Sequence, residues 1–429
     1  MKTETSDVLV IGAGPIGTYA AWRMAQAGLH VRCLERRTAQ QPPSDIGLFH
    51  FERVAFDRTE VPLPKKKDLV CTYPGITVHT PDPDKHVWVD GIETWALDLN
   101  VFIRDLRRLA KQAGAVFRFG REARRLLVEN GRVVGVAVQH GERSEEYRAA
   151  IVVDASGLHR FARRKMPAMN YPGCDKAFTV FMQYWRDAET KPGDGIHSYL
   201  GTNSWTARYP DNWIVGMGNN VPLTTLEAAH YEWTTRLFPG STQVERSVAG
   251  TIPYSFPPPT LVDDGLIVIG DAAATNKPFN GEGIASGMNL AKIAAEEAPA
   301  ALRAGADRRA LWEINRRYFT DQGAKFAFLL AMGLSLIKLT DRELITAYDA
   351  GMFGADDLRQ TFYNYEVKKP ITDWALPLAR LSRQMWTARK YAAAFLRATL
   401  VARHFENFPK LQSYAGWDKR FRKLVAPFT

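Results

Sequence analysis

Residues 7–35 constrain the fold of this chain more than any other stretch. Asp7–Ile11 is a run of branched apolar residues, typical of a strand buried on both faces. Three glycines follow in a G-x-G-x-x-G pattern, and small or apolar residues then recur at helical spacing as far as residue 27. Val31–Glu35 reads as a second strand that ends on an acid. The stretch therefore predicts the strand, helix and strand that begin a Rossmann-like domain.

The same stretch has the chemistry of a dinucleotide site. Gly12 permits a tight turn, Gly14 lets the backbone approach a pyrophosphate, and Gly17 lets the helix pack closely on the strand. The helix N-terminus offers unpaired N–H groups to phosphates, and Glu35 can accept hydrogen bonds from a ribose. The alternative is a glycine-rich turn that packs without a ligand. The candidate cofactor-binding residues here are Gly12, Gly14, Pro15, Gly17, Glu35 and Arg36.

Length and cysteine usage limit the class of protein. The chain has 429 residues, enough for two or three domains. Its three cysteines, Cys33, Cys71 and Cys174, are far apart, which excludes a cysteine-ligated iron–sulfur cluster and a disulfide scaffold. No metal-ligand set stands out. The first strand starts at the N-terminus without room for a signal peptide, so a cytoplasmic protein is expected.

The positive charge is concentrated near the C-terminus. The net charge is +10, and residues 370–429 carry 11 Lys or Arg against 3 Asp or Glu, a net of +8. Such a tail suits a nucleic acid, an anionic membrane, an acidic protein or simply solvent. Of these we retain peripheral contact with an anionic membrane and expect no nucleic acid. The aromatic residues that would anchor it are Trp374, Trp386, Phe395, Phe405, Phe408 and Trp417. The alternative is a helical cap folded onto the substrate domain.

The remaining pattern predicts three units. Residues 36–95 read as loops with short strands, because proline and charge are frequent there. A FAD-binding domain is predicted from 1–80, 96–170 and 255–330. A sheet-rich substrate domain is predicted from 81–95 and 171–254. Residues 331–429 form the basic helical region.

A second glycine motif lies about 250 residues after the first. A short strand ends in Gly270-Asp271, which places a carboxylate where ribityl hydroxyls could donate to it. The segment from Pro278 through Gly281 and Gly283 then leads to a helix at Ile284, whose positive dipole suits the edge of a reduced flavin. Two motifs that grip the two ends of a long ligand favour FAD over NAD.

These motifs resemble those of flavoproteins with the p-hydroxybenzoate hydroxylase fold, and most of all the geranylgeranyl reductase family. The resemblance covers about residues 1–330 and rests on VIGAGPIG (10–17), VVDASG (152–157), GDAA (270–273) and PFNGEGI (278–284). It implies an α/β fold with a Rossmann-like FAD domain, an antiparallel-sheet substrate domain and a helical C-terminal region. It also implies that Glu35 holds the adenosine ribose, Asp271 the ribityl chain and Gly281–Ile284 the flavin ring edge.

The chain departs from the family pattern at three places. Gly47–Phe51 has no cysteine, Ser156 replaces the acid of many hydroxylases, and Leu99 replaces an arginine at a helix start. Arg104, one turn after Leu99, is therefore a further candidate cofactor-binding residue. Because Ser156 replaces an acid, direct reduction by NADPH is expected to be slow. The Trp-x-Trp-x-Ile-Pro element of flavin-dependent halogenases is also absent.

The sequence is compatible with three functions. The first is a FAD-dependent reductase or dehydrogenase for a small hydrophobic substrate, with isoprenoid lipids among the candidates. Its electrons would come from NAD(P)H or a redox protein. The second is a monooxygenase or halogenase-like oxygenase for a small aromatic substrate. The third is a peripheral flavoprotein in which FAD is structural. His50 is the candidate proton donor, and Trp205, Tyr209 and Trp213 are the candidate substrate-binding residues.

Overall fold

A largely parallel sheet forms the first half of the molecule. The computed structural model describes residues 3–186, 193–240, 243–364, 376–377, 379–381 and 384–428. In the first sheet the spatial order is β15-β16-β9-β1-β2-β6, and a hairpin, β7–β8, extends it from β9. Its strands are β1 Thr3–Ile11, β2 Val31–Glu35, β6 Val116–Phe119, β7 Glu122–Glu129, β8 Arg132–His140, β9 Arg143–Asp154, β15 Val262–Asp263 and β16 Leu266–Val268. Strand β1 pairs in parallel with both β2 and β9, and its Val8, Leu9 and Val10 are fully buried, as the apolar run predicts.

A second, mainly antiparallel sheet forms the other half. Its order is β14-β10-β13-β12-β11-β4-β5-β3, with a single parallel pairing between β4 and β11. Its strands are β3 Leu48–Glu52, β4 Leu69–His79, β5 His86–Asp98, β10 Ala177–Arg186, β11 Ile196–Tyr199, β12 Ser204–Arg208, β13 Trp213–Asn219 and β14 Gln243–Pro253. Residues 36–95 were predicted to be loops with short strands, and this was wrong for β4 and β5, which are long strands. The grouping of residues 1–80 with the first unit also differs from the structure, because β3 and β4 pair in the second sheet.

The helices cover both sheets and form the C-terminal region. They are α1 Pro15–Gln26, α2 Arg53–Thr59, α3 Leu99–Gln112, α4 Leu223–Leu237, α5 Ile284–Arg303, α6 Trp312–Tyr318, α7 Ala324–Leu336, α8 Asp341–Ala350, α9 Ala355–Asn364, α10 Met385–Glu406 and α11 Tyr414–Val425. Local chemistry fixes their ends: Asp98 accepts the N–H of Val101 at 2.9 Å at the start of α3, and Thr340 and Glu343 form a capping box on α8. Within the described ranges we find no helix with the length and apolar character needed to cross a bilayer.

The last two helices pack on the first unit rather than on the substrate sheet. Phe405, Phe408 and Trp417 are buried in the same core as β1, and Phe405 also lies against Phe256. The sequence suggested these three aromatic residues as membrane anchors, but their burial excludes that role. Trp386, by contrast, is exposed. Trp374 lies outside the described residues.

Candidate functional site

Two glycines in the first loop leave no room for a side chain. Gly12 has a φ of +98°, and a Cβ there would lie 2.6 Å from the Ala155 carbonyl oxygen. A Cβ on Gly17 would lie 2.0 Å from the carbonyl oxygen of Gly12. Both positions therefore require glycine, and they hold α1, β1 and the turn after β9 in contact.

The third glycine faces open space. A Cβ on Gly14 would meet no atom within 4 Å, and the backbone angles of Gly14 are ordinary for any residue. Neither space nor backbone conformation therefore requires glycine at this position. Helix α1 starts at Pro15, and no side chain of a described residue caps its first turn. The N–H groups of that turn are therefore free for a phosphate, which is the arrangement of a dinucleotide cradle.

Glu35 and Arg36 lie beside this loop. The Glu35 carboxylate accepts the Ala13 N–H and the Arg37 N–H, each at 2.8 Å, so it orders the glycine loop. Arg36 extends towards the turn after β9, where its guanidinium lies 2.6 Å from the Nε2 of His159. The structure thus brings Glu35 to the glycine loop and Arg36 to the turn after β9.

The arginine at the loop is Arg107 rather than Arg104. Arg107 donates from its guanidinium to the Ala13 carbonyl at 2.9 Å and lies over the ring of Phe119. Arg104 is exposed on α3. Arg107 lies one turn after Arg104, and the signal that could have indicated it is its place on the half-buried side of the amphipathic helix.

The turn after β9 connects the two glycine motifs. Buried Asp154 accepts hydrogen bonds from Ser156 and from the N–H groups of Ala162 and Arg163. Arg163 is fully buried and donates to the Ala272 carbonyl in the second motif at 3.1 Å. Ser156 and Asp154 therefore have a structural role.

Asp271 has the properties expected of a ribityl acceptor. Gly270 has a φ of +64° and turns the chain so that Asp271 faces Gly283, where a Cβ would lie 3.3 Å from the Asp271 Oδ1. Burial raises the pKa of Asp271 to about 6, although nearby Arg160 opposes the shift. No described residue donates a hydrogen bond to this half-buried carboxylate. Its unmet capacity for hydrogen bonds fits a ligand with several hydroxyl groups.

The loop before α5 contains a carboxylate that caps the helix, Glu282. Glu282 accepts the N–H groups of Ala285 at 2.6 Å and Ser286 at 3.3 Å, so the helix that starts at Ile284 is capped by its own chain. Burial raises the pKa of Glu282. The Glu282 carboxylate therefore already satisfies part of the helix dipole that the sequence assigned to a flavin edge.

The same loop contacts the second sheet. Gly281 has a φ of +72°, and a Cβ there would lie 2.8 Å from the Cδ1 of Ile252 on β14. Pro278, with Tyr254 and Phe326, lines a small cavity beside it. The predicted flavin-edge segment thus lies where the two sheets meet.

Lys277 and Glu52 form a buried ion pair between distant parts of the sequence. The Lys277 Nζ is 2.5 Å from the Glu52 Oε1 and also donates to the Phe362 carbonyl at 3.3 Å. The Lys277 side chain has no exposed surface, and that of Glu52 is 11% exposed. The pair joins the flavin-edge loop, β3 and α9. Because its two residues are 225 positions apart, no local pattern could have revealed it.

One face of the second sheet, which carries Tyr73, Ala96 and Ile214, is called the inner face. His50 and Tyr209 form a polar pair on this face. The Tyr209 hydroxyl lies 2.9 Å from the His50 Nε2, and the two rings stack. Burial lowers the pKa of His50 to about 4 and raises that of Tyr209 well above its usual value. Both groups are therefore neutral near pH 7, and each carries one exchangeable proton. Tyr73 and Cys71, a second pair the sequence missed, lie beside them.

The three predicted substrate-binding residues lie on different faces of this sheet. Trp205 covers Gly216, where a Cβ would lie 2.4 Å from its ring, and by strand alternation shares the inner face with Tyr209. Ile252, which contacts the flavin-edge loop, lies on this face too. Trp213 points to the other face, which α4 covers, and packs there with Trp185 and Trp233. The structure thus brings Trp205 and Tyr209 together but not Trp213.

Comparisons with known proteins agree with this geometry. A family model described as FAD dependent oxidoreductase matches residues 81–297, and one for an NAD(P)-binding Rossmann-like domain matches residues 10–40. The digeranylgeranylglycerophospholipid reductase of Methanocella arvoryzae is 30% identical over 71% of this chain and 80% of its own length. That of Sulfolobus acidocaldarius is 23% identical over 100% of this chain and 99% of its own.

Two solved structures share the fold. A geranylgeranyl bacteriochlorophyll reductase-like protein from Thermoplasma acidophilum matches 92% of this chain and 100% of its own, with a TM-score of 0.76 and 19% identity. A flavin-dependent brominase matches 90% of this chain and 100% of its own, with a TM-score of 0.68 and 18% identity.

The fold, the two glycine motifs and these matches define a FAD-dependent oxidoreductase with the p-hydroxybenzoate hydroxylase fold. The chain belongs to the geranylgeranyl reductase family of these flavoproteins. The open space at Gly14 fits the pyrophosphate of FAD, and the unsatisfied Asp271 carboxylate fits the ribityl chain next to it. Within the described ranges no group of His, Cys, Asp and Glu is arranged to hold a metal ion.

We expect FAD affinity to fall as the pH drops through about 6. Ribityl hydroxyls donate best to the ionised form of Asp271, and its pKa of about 6 places the loss of that form in this range. Asp271→Ala should weaken FAD binding by about 1–3 kcal/mol at pH 8, the cost of losing a charged hydrogen-bond partner. Fluorescence titration of the apoprotein with FAD across pH measures both effects. Asp271→Asn is the control and should lose the pH dependence; an unchanged pH profile in this variant would exclude Asp271 as the acceptor.

We also expect Arg107→Gln, but not Arg104→Gln, to reduce FAD retention. Arg107 holds the Ala13 carbonyl of the glycine loop, whereas Arg104 is exposed one turn away. Losing one charged hydrogen bond to the loop should cost about 1–2 kcal/mol of FAD binding. The FAD content after gel filtration compares the two variants directly. Equal loss in both would show that only the overall positive charge of α3 matters.

Proposed function

We propose that this protein reduces carbon–carbon double bonds in the isoprenoid chain of a lipid. The observation that carries the proposal is the inner face of the second sheet. It presents Trp205, Ile252 and the neutral His50–Tyr209 pair as one surface that meets the flavin-edge loop at Gly281. The names of the relatives support the same substrate class.

Reduction of an alkene needs a hydride and a proton. FAD, when bound, supplies the hydride chemistry. The Tyr209 phenol and the His50 imidazole hold the proton without placing a charge beside an apolar chain. We therefore assign proton supply to the pair, rather than to a protonated His50. Trp213 has no part in this site, because its side chain packs under α4.

For the electron donor we propose a redox protein in preference to direct reduction by NAD(P)H. Ser156, which replaces the acid of many hydroxylases, is held by Asp154 and by the Phe161 N–H at 2.9 Å. Anaerobic stopped-flow mixing of the holoenzyme with NADPH and with dithionite tests this choice. Rapid bleaching of the flavin at micromolar NADPH would reverse it.

The basic C-terminal region supports a further part of the proposal. We propose that the protein makes peripheral contact with an anionic membrane, because a lipid substrate must leave a bilayer to reach the inner face.

Anaerobic turnover tests the function. Dithionite-reduced holoenzyme is incubated with a detergent-dispersed geranylgeranyl lipid, and the product mass is compared with that from a fully saturated analogue. We expect two hydrogens added per double bond. Tyr209→Phe and His50→Gln should lower kcat by about 10²-fold or more without loss of FAD, whereas the exposed Tyr231→Phe on α4 should not. Oxygen-dependent hydroxylation or halogenation of an aromatic compound, with no alkene reduction, would favour the oxygenase alternative.

A further inference from the structure

Helix α10 has one face that the described residues leave exposed. Its inner side, with Tyr391, Ala398 and Phe405, is buried, and the helix packs along α7. Outward-facing residues recur at intervals of three and four positions. This outer face of α10 comprises Trp386, Arg389, Ala393, Leu396 and Leu400.

The apolar residues of the outer face are strongly exposed. Trp386 is 73% exposed, Leu396 59% and Leu400 44%. Met385, at the first turn, is 58% exposed. A row of exposed large apolar side chains along one helix is unusual for a surface that contacts only water, and it marks an interaction surface.

The charges on α10 are positive apart from Glu406, its last residue. Between Met385 and Phe405 the helix has Arg389, Lys390, Arg397 and Arg403 but no acid. Lys390 pairs with Glu343 on α8 at 2.6 Å. The three arginines form no ion pair with a described residue, and the Arg389 guanidinium lies over the Trp386 ring.

We propose that the outer face of α10 docks the protein on an anionic lipid bilayer. Apolar side chains with tryptophan and arginine on one helical face are the pattern of a helix that lies in the headgroup region, where arginine stems extend over apolar surface and the guanidinium groups meet lipid phosphates. A second copy of the chain is a poor occupant, because it would bring two faces that each carry Arg389, Arg397 and Arg403 against one another. The proposal deepens the proposed function and rests on its lipid substrate.

Vesicle flotation of the holoenzyme tests this surface. Phosphatidylcholine vesicles with and without phosphatidylglycerol are compared at low and high salt. We expect binding to the anionic vesicles, weakened by salt. Leu396→Gln should lower the partition coefficient about 10-fold, and the double variant Arg389→Gln/Arg397→Gln about 30-fold on anionic vesicles. The matched controls are Tyr231→Gln on α4 and Lys111→Gln on α3, exposed residues of the same kinds elsewhere, and both should bind as the wild type does.

Three outcomes would overturn the proposal. The first is an absence of wild-type binding to anionic vesicles, and the second is equal binding by the α10 variants and their controls. The third is a dimer in light scattering that Leu396→Gln converts to a monomer, which would make a second copy the occupant. Turnover of the detergent-dispersed lipid separates this proposal from the proposed function. If only the docking surface is wrong, that turnover persists in all variants; if the function is wrong, it is absent even when vesicles bind.

Discussion

The Gly17→Ala variant is expected to lose about 3 kcal/mol of unfolding free energy, the upper end of the cost of overpacking. The added methyl would lie 2.0 Å from the Gly12 carbonyl oxygen and 3.1 Å from the Ala155 side chain. Neither neighbour can yield easily, because Gly12 belongs to the tight loop and Ala155 to the turn that Asp154 holds. Urea denaturation of the apoprotein measures the loss, and FAD content shows whether the cradle survives.

The matched control is Gly14→Ala in the same loop. Its methyl would enter open space, and the φ of −68° and ψ of −174° at Gly14 suit alanine. We therefore expect wild-type stability in the apoprotein but a large loss of FAD affinity, because the methyl occupies the space assigned to the pyrophosphate. Wild-type FAD binding by Gly14→Ala would contradict the cradle, and wild-type stability of Gly17→Ala would contradict the packing.

Lys277→Met should destabilise the protein by about 3–5 kcal/mol. The variant leaves the Glu52 carboxylate without its ammonium partner in an environment where the side chain is only 11% exposed. Removing one member of a buried pair typically costs this much, since the remaining charge is not solvated. Because Lys277 also holds the Phe362 carbonyl of α9, the flavin-edge loop should become more accessible. Thermal unfolding and hydrogen exchange over residues 277–284 measure the two effects.

The double variant Lys277→Met/Glu52→Leu serves as the internal control. Removing both charges should recover most of the stability, because no uncompensated charge remains. Arg148→Met, which breaks the exposed pair with Glu129, should leave the melting temperature unchanged. If the double variant is as unstable as Lys277→Met, packing of the lysine stem, rather than charge, explains the loss.

The cofactor loops could be predicted from sequence because each is local. The spacing of Gly12, Gly14 and Gly17 and the Gly270-Asp271 turn report backbone demands that their immediate neighbours impose. The length of strands β4 and β5 could not be predicted, and the reason is physical. Pro74 lies within β4 and argues against a strand, but the pairing with β5 is irregular between Tyr73 and Gly75, so the ladder accommodates the proline there.

Contacts between distant segments account for the rest. His50 and Tyr209 are 159 positions apart, and nothing near either residue indicates the other. The C-terminal aromatics show a similar limit, because Trp417 in the core and Trp386 on the surface occur in similar helical sequences. Only the packing of α10 and α11 on the first unit separates buried residues from exposed ones.

Anaerobic single turnover tests the central claim most directly. Holoenzyme reduced with one equivalent of dithionite is mixed with a geranylgeranyl lipid in detergent, and the oxidised-flavin absorbance is followed together with the product mass. A reductase predicts flavin reoxidation without oxygen, with one double bond reduced per flavin, and no reaction with the saturated analogue. Flavin that stays reduced until oxygen is admitted, with the lipid unchanged, would contradict the account.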